Sequence, residues 1–233
     1  MALPFFYIEN IEEDNLLLVL SEETSRHIIQ VLRMGVGERL QLTDGKGRLL
    51  LAEIINDNKK KASVTIIEST VCSSPQKKIT LAVSLVKNSS RFEWLLEKAT
   101  ELGVTEIIPL ICERTEKQHF RLERMKGILV SAMLQSQQAW LPFLNAPRKL
   151  KDLVVNSGQV ERYIAHCDEQ HKKSLIGYRA FSEAVILIGP EGDFTKTEIE
   201  LAMENNFIPV SLGATRLRTE TAAITAAVIM QVD

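Results

Sequence analysis

Two segments near the end of the chain combine glycine with charged or hydroxyl side chains where a strand passes into a helix. The first loop, residues 189–192 (Gly-Pro-Glu-Gly), follows the apolar run AVILI and precedes the helical pattern TKTEIELA. Glycine permits a positive φ and lets a flat ligand approach the backbone, so Gly189 and Gly192 favour a binding loop, which Pro190 stiffens. The alternative is a tight strand–helix connection that binds nothing.

The second loop, residues 212–221 (LGATRLRTET), strengthens the case for a ligand pocket. It follows the apolar segment FIPVS and opens a helix that is otherwise apolar. Two glycine-bearing loops at successive strand ends favour one shared pocket over two unrelated tight turns. Arg218 is suited to stabilising negative charge that develops on a substrate. Glu220 could orient Arg218 or accept a proton, and the alternative is an arginine–glutamate pair with a structural role only.

The helix after the first loop carries its own start signal. Thr195 and Glu198 have the spacing of a capping box, which predicts that the helix begins at Lys196. Asp193 lies next to the same helix end, so its carboxylate is expected to act as an additional N-terminal cap.

Several other chemistries lack their sequence patterns. G-x-x-x-x-G-K-[ST] is absent, and the glycine segments GVGERL and GKGRLL precede strands instead of following them. Neither a P-loop nor a dinucleotide-binding fold is therefore predicted. Cys72, Cys112 and Cys167 are widely spaced and lack paired His or Cys neighbours, so we predict neither a metal site nor a disulfide framework.

The order of the predicted elements indicates two domains, residues 1–72 and residues 73–233. The first has closely spaced strands, a short helix capped by Ser21 and a hairpin at DGKG (residues 44–47), which is typical of a small β-barrel. The polar, proline-containing segment VCSSPQKK marks the boundary. From Ile79 strands alternate with helices, including a long helix at residues 121–139, and this pattern predicts an α/β domain with a parallel sheet.

Polar residues follow the predicted strands of the second domain. They include Lys87 and Asn88 after one strand, Glu113 and Arg114 after the next, and residues 166–168 (His-Cys-Asp) after a third. Open parallel sheets bind ligands beyond the carboxyl ends of their strands. We therefore expect these polar groups to share one edge of the sheet with the two glycine loops.

Composition places the chain among ordinary globular proteins. It has 233 residues, 45% of them hydrophobic, and a net charge of −2 without a basic tail, which argues against a nonspecific nucleic-acid coating protein. No apolar run has the length of a membrane span and the N-terminus lacks a secretion signal, so we predict a cytoplasmic location. The last helix, TETAAITAAVIMQV, is apolar almost all round and should be buried by its own domain or by a partner subunit.

Four segments together resemble a known family. IGPEGDFTKTE, SLGATRLRTETAAITA, HIIQVLRMGVGE and LEKATELGVTEIIPLICERTE are similar to segments of the bacterial 16S rRNA (uracil-N3)-methyltransferases, the RsmE family of the SPOUT superfamily. The resemblance covers both domains. It implies a PUA-like β-barrel that binds RNA, followed by a SPOUT α/β domain with a C-terminal trefoil knot.

The resemblance also implies an activity. It indicates a homodimer that uses S-adenosylmethionine as methyl donor, without a metal, to methylate N3 of a uridine near the 3′ end of 16S rRNA in the small ribosomal subunit. One alternative is another SPOUT RNA methyltransferase, acting on a ribose 2′-hydroxyl or on a tRNA base. A second alternative is a non-catalytic RNA-binding protein of ribosome assembly.

The expected site residues fall into three groups. Arg218 and Glu220 are the expected catalytic residues. The donor is expected to contact residues of the two loops and their flanks, namely Ile188, Gly189, Pro190, Glu191, Gly192, Leu212, Gly213, Leu217, Thr219 and Thr221. RNA is expected to contact the cations Arg26, Arg33, Lys87, Arg91 and Arg114.

The chain departs from the family pattern at two places. The first loop continues as GPEGD where the family usually has GPEGG, which introduces Asp193. The segment AMLQSQQAWLP lacks the Glu and Arg often present in the corresponding helix. The contacts that those two residues make in the family are therefore not expected here.

Overall fold

The computed structural model describes residues 3–9, 11, 16–116, 118–158, 161–168, 172–178 and 182–231. The chain forms two compact units. The first comprises Met1–Ser74 together with Met133–Leu141, and the second comprises Pro75–Ala132 together with Pro142–Asp233. The return of residues 133–141 to the first unit has no counterpart in the sequence-based division.

The first unit is a five-stranded, mainly antiparallel sheet with a short helix. Its strands, in the order β1-β3-β4-β5-β2, are β1 (Phe5–Tyr7), β2 (Leu17–Val19), β3 (Arg39–Thr43), β4 (Arg48–Asn56) and β5 (Ser63–Val71). Alternate residues of β3 and β4, such as Leu40, Leu42 and Ile54, are fully buried, as a sheet with one apolar face requires. The predicted hairpin at residues 44–47 joins β3 to β4.

Helix α1 (Glu22–Arg26) begins as predicted, with the Ser21 side chain accepting a hydrogen bond from the Thr24 backbone N–H at 3.2 Å. It continues into a single π-helical turn, His27–Val31, whose Ile28 is fully buried. The turn ends at Arg33, which has a φ of 58°. A positive φ is uncommon for a residue with a side chain.

The segment Met133–Leu141 packs on the β3–β4 hairpin of the same unit. Gly47 N–H donates to the Ala139 carbonyl at 2.9 Å, and Leu141 N–H donates to the Gly45 carbonyl at 2.8 Å. A Cβ at Gly47 would lie 2.3 Å from the Trp140 ring, so only glycine fits there. The predicted long helix at residues 121–139 is therefore wrong at its end, because the backbone after Gln135 pairs with the hairpin instead.

The second unit is a parallel sheet with helices between its strands. The central strands, in spatial order, are β11-β13-β10-β12-β6-β7-β8, and β9 pairs with β7. The strands are β6 (Lys78–Ser84), β7 (Glu106–Ile111), β8 (Phe143–Leu144), β9 (Arg148–Lys149), β10 (Glu161–Ala165), β11 (Lys173–Ser174), β12 (Glu183–Ile188) and β13 (Ile208–Ser211). The helices are α2 (Ser89–Glu101), α3 (Leu122–Gln135), α4 (Leu150–Val155), α5 (Lys196–Glu204) and α6 (Thr219–Gln231). The predicted α/β domain with a parallel sheet is confirmed.

Helix α2 follows its sequence pattern closely. Phe92, Leu95, Leu96 and Ala99 form its buried face, and Gly103, with a φ of 77°, follows its last turn. Its N-cap is Asn88, whose side chain accepts from the Ser90 backbone N–H at 3.0 Å.

Helix α6 is buried along one face, through Ala223, Ala226, Ala227 and Met230, and it packs against α2 and β6. Within one chain its other faces are partly open, and Val228 is 40% exposed. Among the described residues, no helix is both long and apolar enough to cross a membrane.

Candidate ligand site at the carboxyl edge of the sheet

Strand pairing brings the two glycine loops to the same edge of the sheet. Strand β10 lies between β12 and β13, and its last residue, Ala165, pairs with Ile188 on one side and Val210 on the other. The first loop follows β12 and the second follows β13, so the two loops flank the end of β10. A buried hydrogen bond of 2.9 Å, from Thr219 Oγ1 to the Gly189 carbonyl, joins them directly.

The first loop is held by its neighbours on the sheet. The backbone N–H of Lys87, just after β6, donates to Glu191 Oε1 at 2.9 Å. Arg114 Nη1, just after β7, donates to the Gly192 carbonyl at 2.6 Å. Two strand ends therefore fix the loop through side-chain hydrogen bonds.

The glycines of the first loop do not use the positive φ that their sequence allowed. Neither Gly189 nor Gly192 has a positive φ. A Cβ at Gly189 would lie 3.2 Å from the Phe194 ring and backbone N, and one at Gly192 would lie 3.3 Å from Arg114 Cδ. A side chain at either position would therefore crowd its neighbour, Phe194 or Arg114. The positive φ in this region belongs to Asp193, at 62°.

Asp193 does not cap helix α5, contrary to the prediction. Its two carboxylate oxygens accept from the backbone N–H groups of Phe194, at 2.9 Å, and Cys167, at 2.8 Å. The predicted capping box of Thr195 and Glu198 already supplies hydrogen-bond acceptors at the N-terminus of α5. Asp193 is therefore free to tie the first loop to the chain that follows β10.

The second loop is much less constrained. Gly213, Arg216 and Arg218 are exposed, and residues 212–218 make no side-chain hydrogen bond or ion pair with any residue that the structure describes. Gly213 has a φ of 145°, and a Cβ built there would meet nothing within 4 Å. Among the described residues, the first side-chain hydrogen bond of this loop is that of Thr219, where α6 begins.

Glu220 is the buried carboxylate of this region. It is 8% exposed and lies 3.6 Å from Arg91 Nε, so its ion pair is with Arg91 and not with Arg218. The other predicted donor contacts lie in and beside the two loops. Ile188 and Pro190 are buried, Leu212 and Leu217 are half-buried, and Thr221 is exposed.

The five predicted RNA-contacting cations divide between the two units. Lys87, Arg91 and Arg114 share the carboxyl edge of the second unit, where Glu116 pairs with Lys87 at 2.8 Å and raises the pKa of its ammonium group. Arg26 and Arg33 belong to the first unit. Arg26 pairs with Glu22 at 2.6 Å, whereas Arg33 is exposed and makes no ion pair with a described residue.

His166, which the sequence placed at this sheet edge but not among the expected site residues, follows the strand between the two loops. It directly follows β10, it is 7% exposed, and neither ring nitrogen has a hydrogen-bond partner among the described residues. Burial, and then the nearby Lys172 ammonium, lower the pKa of the imidazole. Its place after a buried strand was visible in the sequence, but its burial was not.

The cysteines differ in how far they are exposed to solvent. Cys112 is buried, and burial raises the pKa of its thiol to about 12, whereas Cys167 is exposed. Within the described ranges no group of three or more His, Cys, Asp or Glu side chains could hold a metal ion.

Comparison with known proteins gives consistent matches along the chain. A family model described as an RNA methyltransferase domain matches residues 72–231, and an RNA methyltransferase PUA domain matches residues 20–67. A relative from Rickettsia conorii, named ribosomal RNA small subunit methyltransferase E, is 31% identical over 225 residues, covering 94% of this chain and 91% of its own.

Solved structures agree with this match. A probable rRNA-methyltransferase from Porphyromonas gingivalis has a TM-score of 0.90 at 37% identity, covering 97% of this chain and 95% of its own. A ribosomal RNA small subunit methyltransferase E from Neisseria gonorrhoeae, bound to S-adenosyl methionine, has a TM-score of 0.87 at 30% identity, covering 99% and 97%. The first unit is thus PUA-like, and the second has the fold of these enzymes.

Proposed function

Because the chain belongs to the ribosomal RNA small subunit methyltransferase E family, we propose that it methylates N3 of a uridine near the 3′ end of 16S rRNA. S-adenosylmethionine is the methyl donor, and the small ribosomal subunit in the cytoplasm is the setting. The observation that carries the proposal is the pair of loops at one sheet edge, joined by the bond from Thr219 to Gly189. Both lie inside the matched methyltransferase domain.

The residues of the two loops fit the donor. The space beside Gly213 in the second loop is open, so a flat ligand meets no side chain there. The holding residues are those expected from the sequence: Ile188, Gly189, Pro190, Glu191, Gly192, Leu212, Gly213, Leu217, Thr219 and Thr221. When bound, S-adenosylmethionine supplies a methyl group already activated on a sulfonium, so the protein has to position the acceptor and manage its proton.

Arg218 and Glu220 act on the acceptor, one on its charge and the other on its proton. Uracil N3 carries a proton, and negative charge develops on the neighbouring carbonyl oxygens as that proton leaves. The exposed Arg218 guanidinium stabilises that charge. Glu220 accepts the proton, and the 3.6 Å ion pair with Arg91 keeps its carboxylate in place.

RNA is held by cations on both units. Lys87, Arg91 and Arg114 lie at the same sheet edge as the two loops, which supports contact with the RNA backbone around the target uridine. Arg26 and Arg33 contribute from the PUA-like unit. Arg33 has no competing ion pair among the described residues, so its charge remains available for a phosphate.

We extend the proposal to the knot and to a homodimer. Thr219 bonds Gly189 although β10 separates β13 from β12, so the chain crosses the end of β10 before α6. This crossing supports a trefoil knot. The 40% exposure of Val228 on α6 and the 44% exposure of Trp94 on α2 support a partner subunit against these helices.

The test is nucleoside analysis of modified RNA. Small subunits from a strain lacking the gene are incubated with the protein and S-adenosylmethionine, and their 16S rRNA is digested for mass spectrometry. We expect 3-methyluridine at one position. A 2′-O-methyl nucleoside, a tRNA product, or no transfer despite donor binding would each replace the proposal with one of its alternatives.

A further inference from the structure

His166 is a buried imidazole to which the proposed chemistry gives no task. Both of its ring nitrogens are shielded from solvent and lack a hydrogen-bond partner among the described residues. Unpaired buried polar atoms destabilise a fold. Such atoms in a native protein call for an explanation, and a bound molecule that supplies the missing partner is one.

The position of His166 points to the ligand site. Ala165 pairs with Ile188 and Val210, so the next residue, His166, is level with Gly189 on one side and Ser211 on the other. Gly189 begins the first loop, and Ser211, the last residue of β13, directly precedes the second. The Lys172 ammonium donates to the backbone carbonyls of His166 and Asp168, which holds this part of the chain in place.

The surroundings of the imidazole disfavour its protonated form. Burial and the Lys172 ammonium both oppose a positive charge, and they lower the pKa of the ring despite the opposing influence of Asp193 and Asp168. A neutral imidazole offers one N–H donor and one acceptor nitrogen. That pair suits an uncharged heterocycle or a hydroxyl, whereas carboxylate and ammonium groups bind best to charged partners.

Resting on the donor function proposed above, we propose that His166 lines the donor pocket and hydrogen-bonds the adenosine part of S-adenosylmethionine. The second loop starts beside His166, and residues 212–218 have no side-chain tether among the described residues. It is therefore the part of the site that can move to expose the ring when the donor enters. His166 is a binding residue in this account, and the proton of uracil is handled elsewhere.

Calorimetric titration of the full chain tests the assignment. His166→Phe keeps the ring shape and removes both nitrogens, and Cys167→Ser, at the exposed next residue, is the control. The probes are S-adenosylmethionine and 5′-methylthioadenosine, which lacks the amino-acid part. We expect His166→Phe to raise Kd for both probes by the same factor, about tenfold. The control should bind as the wild type does, and the melting temperature of His166→Phe without ligand should not fall.

The outcomes separate this inference from the donor function itself. Failure of the wild type to bind S-adenosylmethionine overturns the proposed function. Normal wild-type binding with an unchanged His166→Phe overturns the role of His166, and a loss confined to S-adenosylmethionine overturns the assignment to adenosine.

A second measurement avoids dependence on the variant's folding. In wild-type protein labelled with nitrogen-15 in histidine, 5′-methylthioadenosine should shift a ring-nitrogen resonance of His166. The resonance is assigned by its loss in His166→Phe or, should that variant not fold, in His166→Gln. A resonance that stays in place at saturating ligand contradicts the contact.

Discussion

The two loops of the candidate site contrast in how the chain supports them. The first is tied through Glu191 to the end of β6, and Arg114 and Asp193 bind it to the segments after β7 and β10. The second has exposed arginines, and within the part of the chain that the structure describes its first side-chain hydrogen bond is that of Thr219. A tethered loop is ordered before a ligand arrives, whereas an untethered loop pays its ordering entropy on binding. We infer that the first loop is a preformed wall and the second closes on the donor.

The largest expected effect comes from adding a side chain to the first loop. Gly192→Val would place its Cβ 3.3 Å from Arg114 Cδ and add methyl groups in the space assigned to adenosine. Overpacking lowers the folding stability by about 1–3 kcal/mol, whereas the methyl groups that occupy the donor space act on binding. We therefore expect Kd for S-adenosylmethionine to rise by about a hundredfold or more, measured by calorimetry.

Gly158→Val is the matched control for that change. Gly158 precedes β10, at the opposite edge of the sheet, and a Cβ there meets nothing within 4 Å. It should leave donor affinity unchanged. Unaltered affinity in a folded Gly192→Val would show that the donor does not touch the first loop.

The next effect concerns the untethered loop. Arg218→Ala should lower kcat by about a hundredfold or more, the usual result of removing one charge-stabilising donor. Donor affinity should change far less. Single-turnover kinetics at saturating RNA, with Arg216→Ala as the neighbouring exposed control, measure the difference. A variant that loses donor affinity alone would make Arg218 a structural residue.

A smaller effect tests whether the hydrogen bonds that hold the first loop contribute to donor binding. Glu191→Ala removes the acceptor of the Lys87 backbone N–H and should raise Kd for the donor by a few-fold to about tenfold, because the loop loses part of its order. Glu116→Ala touches the same lysine but removes only an exposed ion pair, which contributes little. Equal effects of the two variants on Kd would refute the preformed wall.

The smallest effect concerns Arg33, which is exposed and makes no ion pair with a described residue. Arg33→Gly should weaken RNA binding, lower the slope of log affinity against log salt by about 0.7–0.9, and leave the maximal rate near normal. Since Arg33 has a φ of 58°, glycine should leave the free energy of unfolding unchanged or raise it by up to about 1 kcal/mol. Filter binding across salt concentrations and thermal melts measure the two quantities.

Gln137→Gly is the control for Arg33→Gly. Gln137 lies in the same unit, is exposed, and has a φ of 54°, but it carries no charge. The free energy of unfolding of Gln137→Gly should change as that of Arg33→Gly does, while its affinity for RNA stays that of the wild type. Weaker RNA binding in both variants would mean that RNA affinity depends on the backbone conformation and not on the arginine charge.

Local sequence rules predicted the elements that they govern. The capping box at Thr195, the Ser21 cap of α1 and the hairpin at residues 44–47 depend on residues close together in the chain, and all are present. The two glycine loops were placed at one sheet edge because the parallel-sheet pattern was strong.

The errors arose where distant residues decide. The helix predicted to residue 139 stops at Gln135 because the following backbone pairs with the hairpin tip around Gly47. Asp193 binds Cys167 N–H, which is distant in sequence, so its adjacency to α5 was misleading. The burial of His166 likewise depends on the strands on both sides of β10.

Hydrogen exchange with and without S-adenosylmethionine tests the two-loop account most directly. The Asp193 amide is hydrogen-bonded to the Pro190 carbonyl at 2.9 Å in the chain alone, so the first loop should already be protected. Donor binding should then slow exchange strongly at residues 213–217 and change the first loop little. Protection that appears equally in both loops, or in neither, would contradict a donor held between a preformed wall and a closing loop.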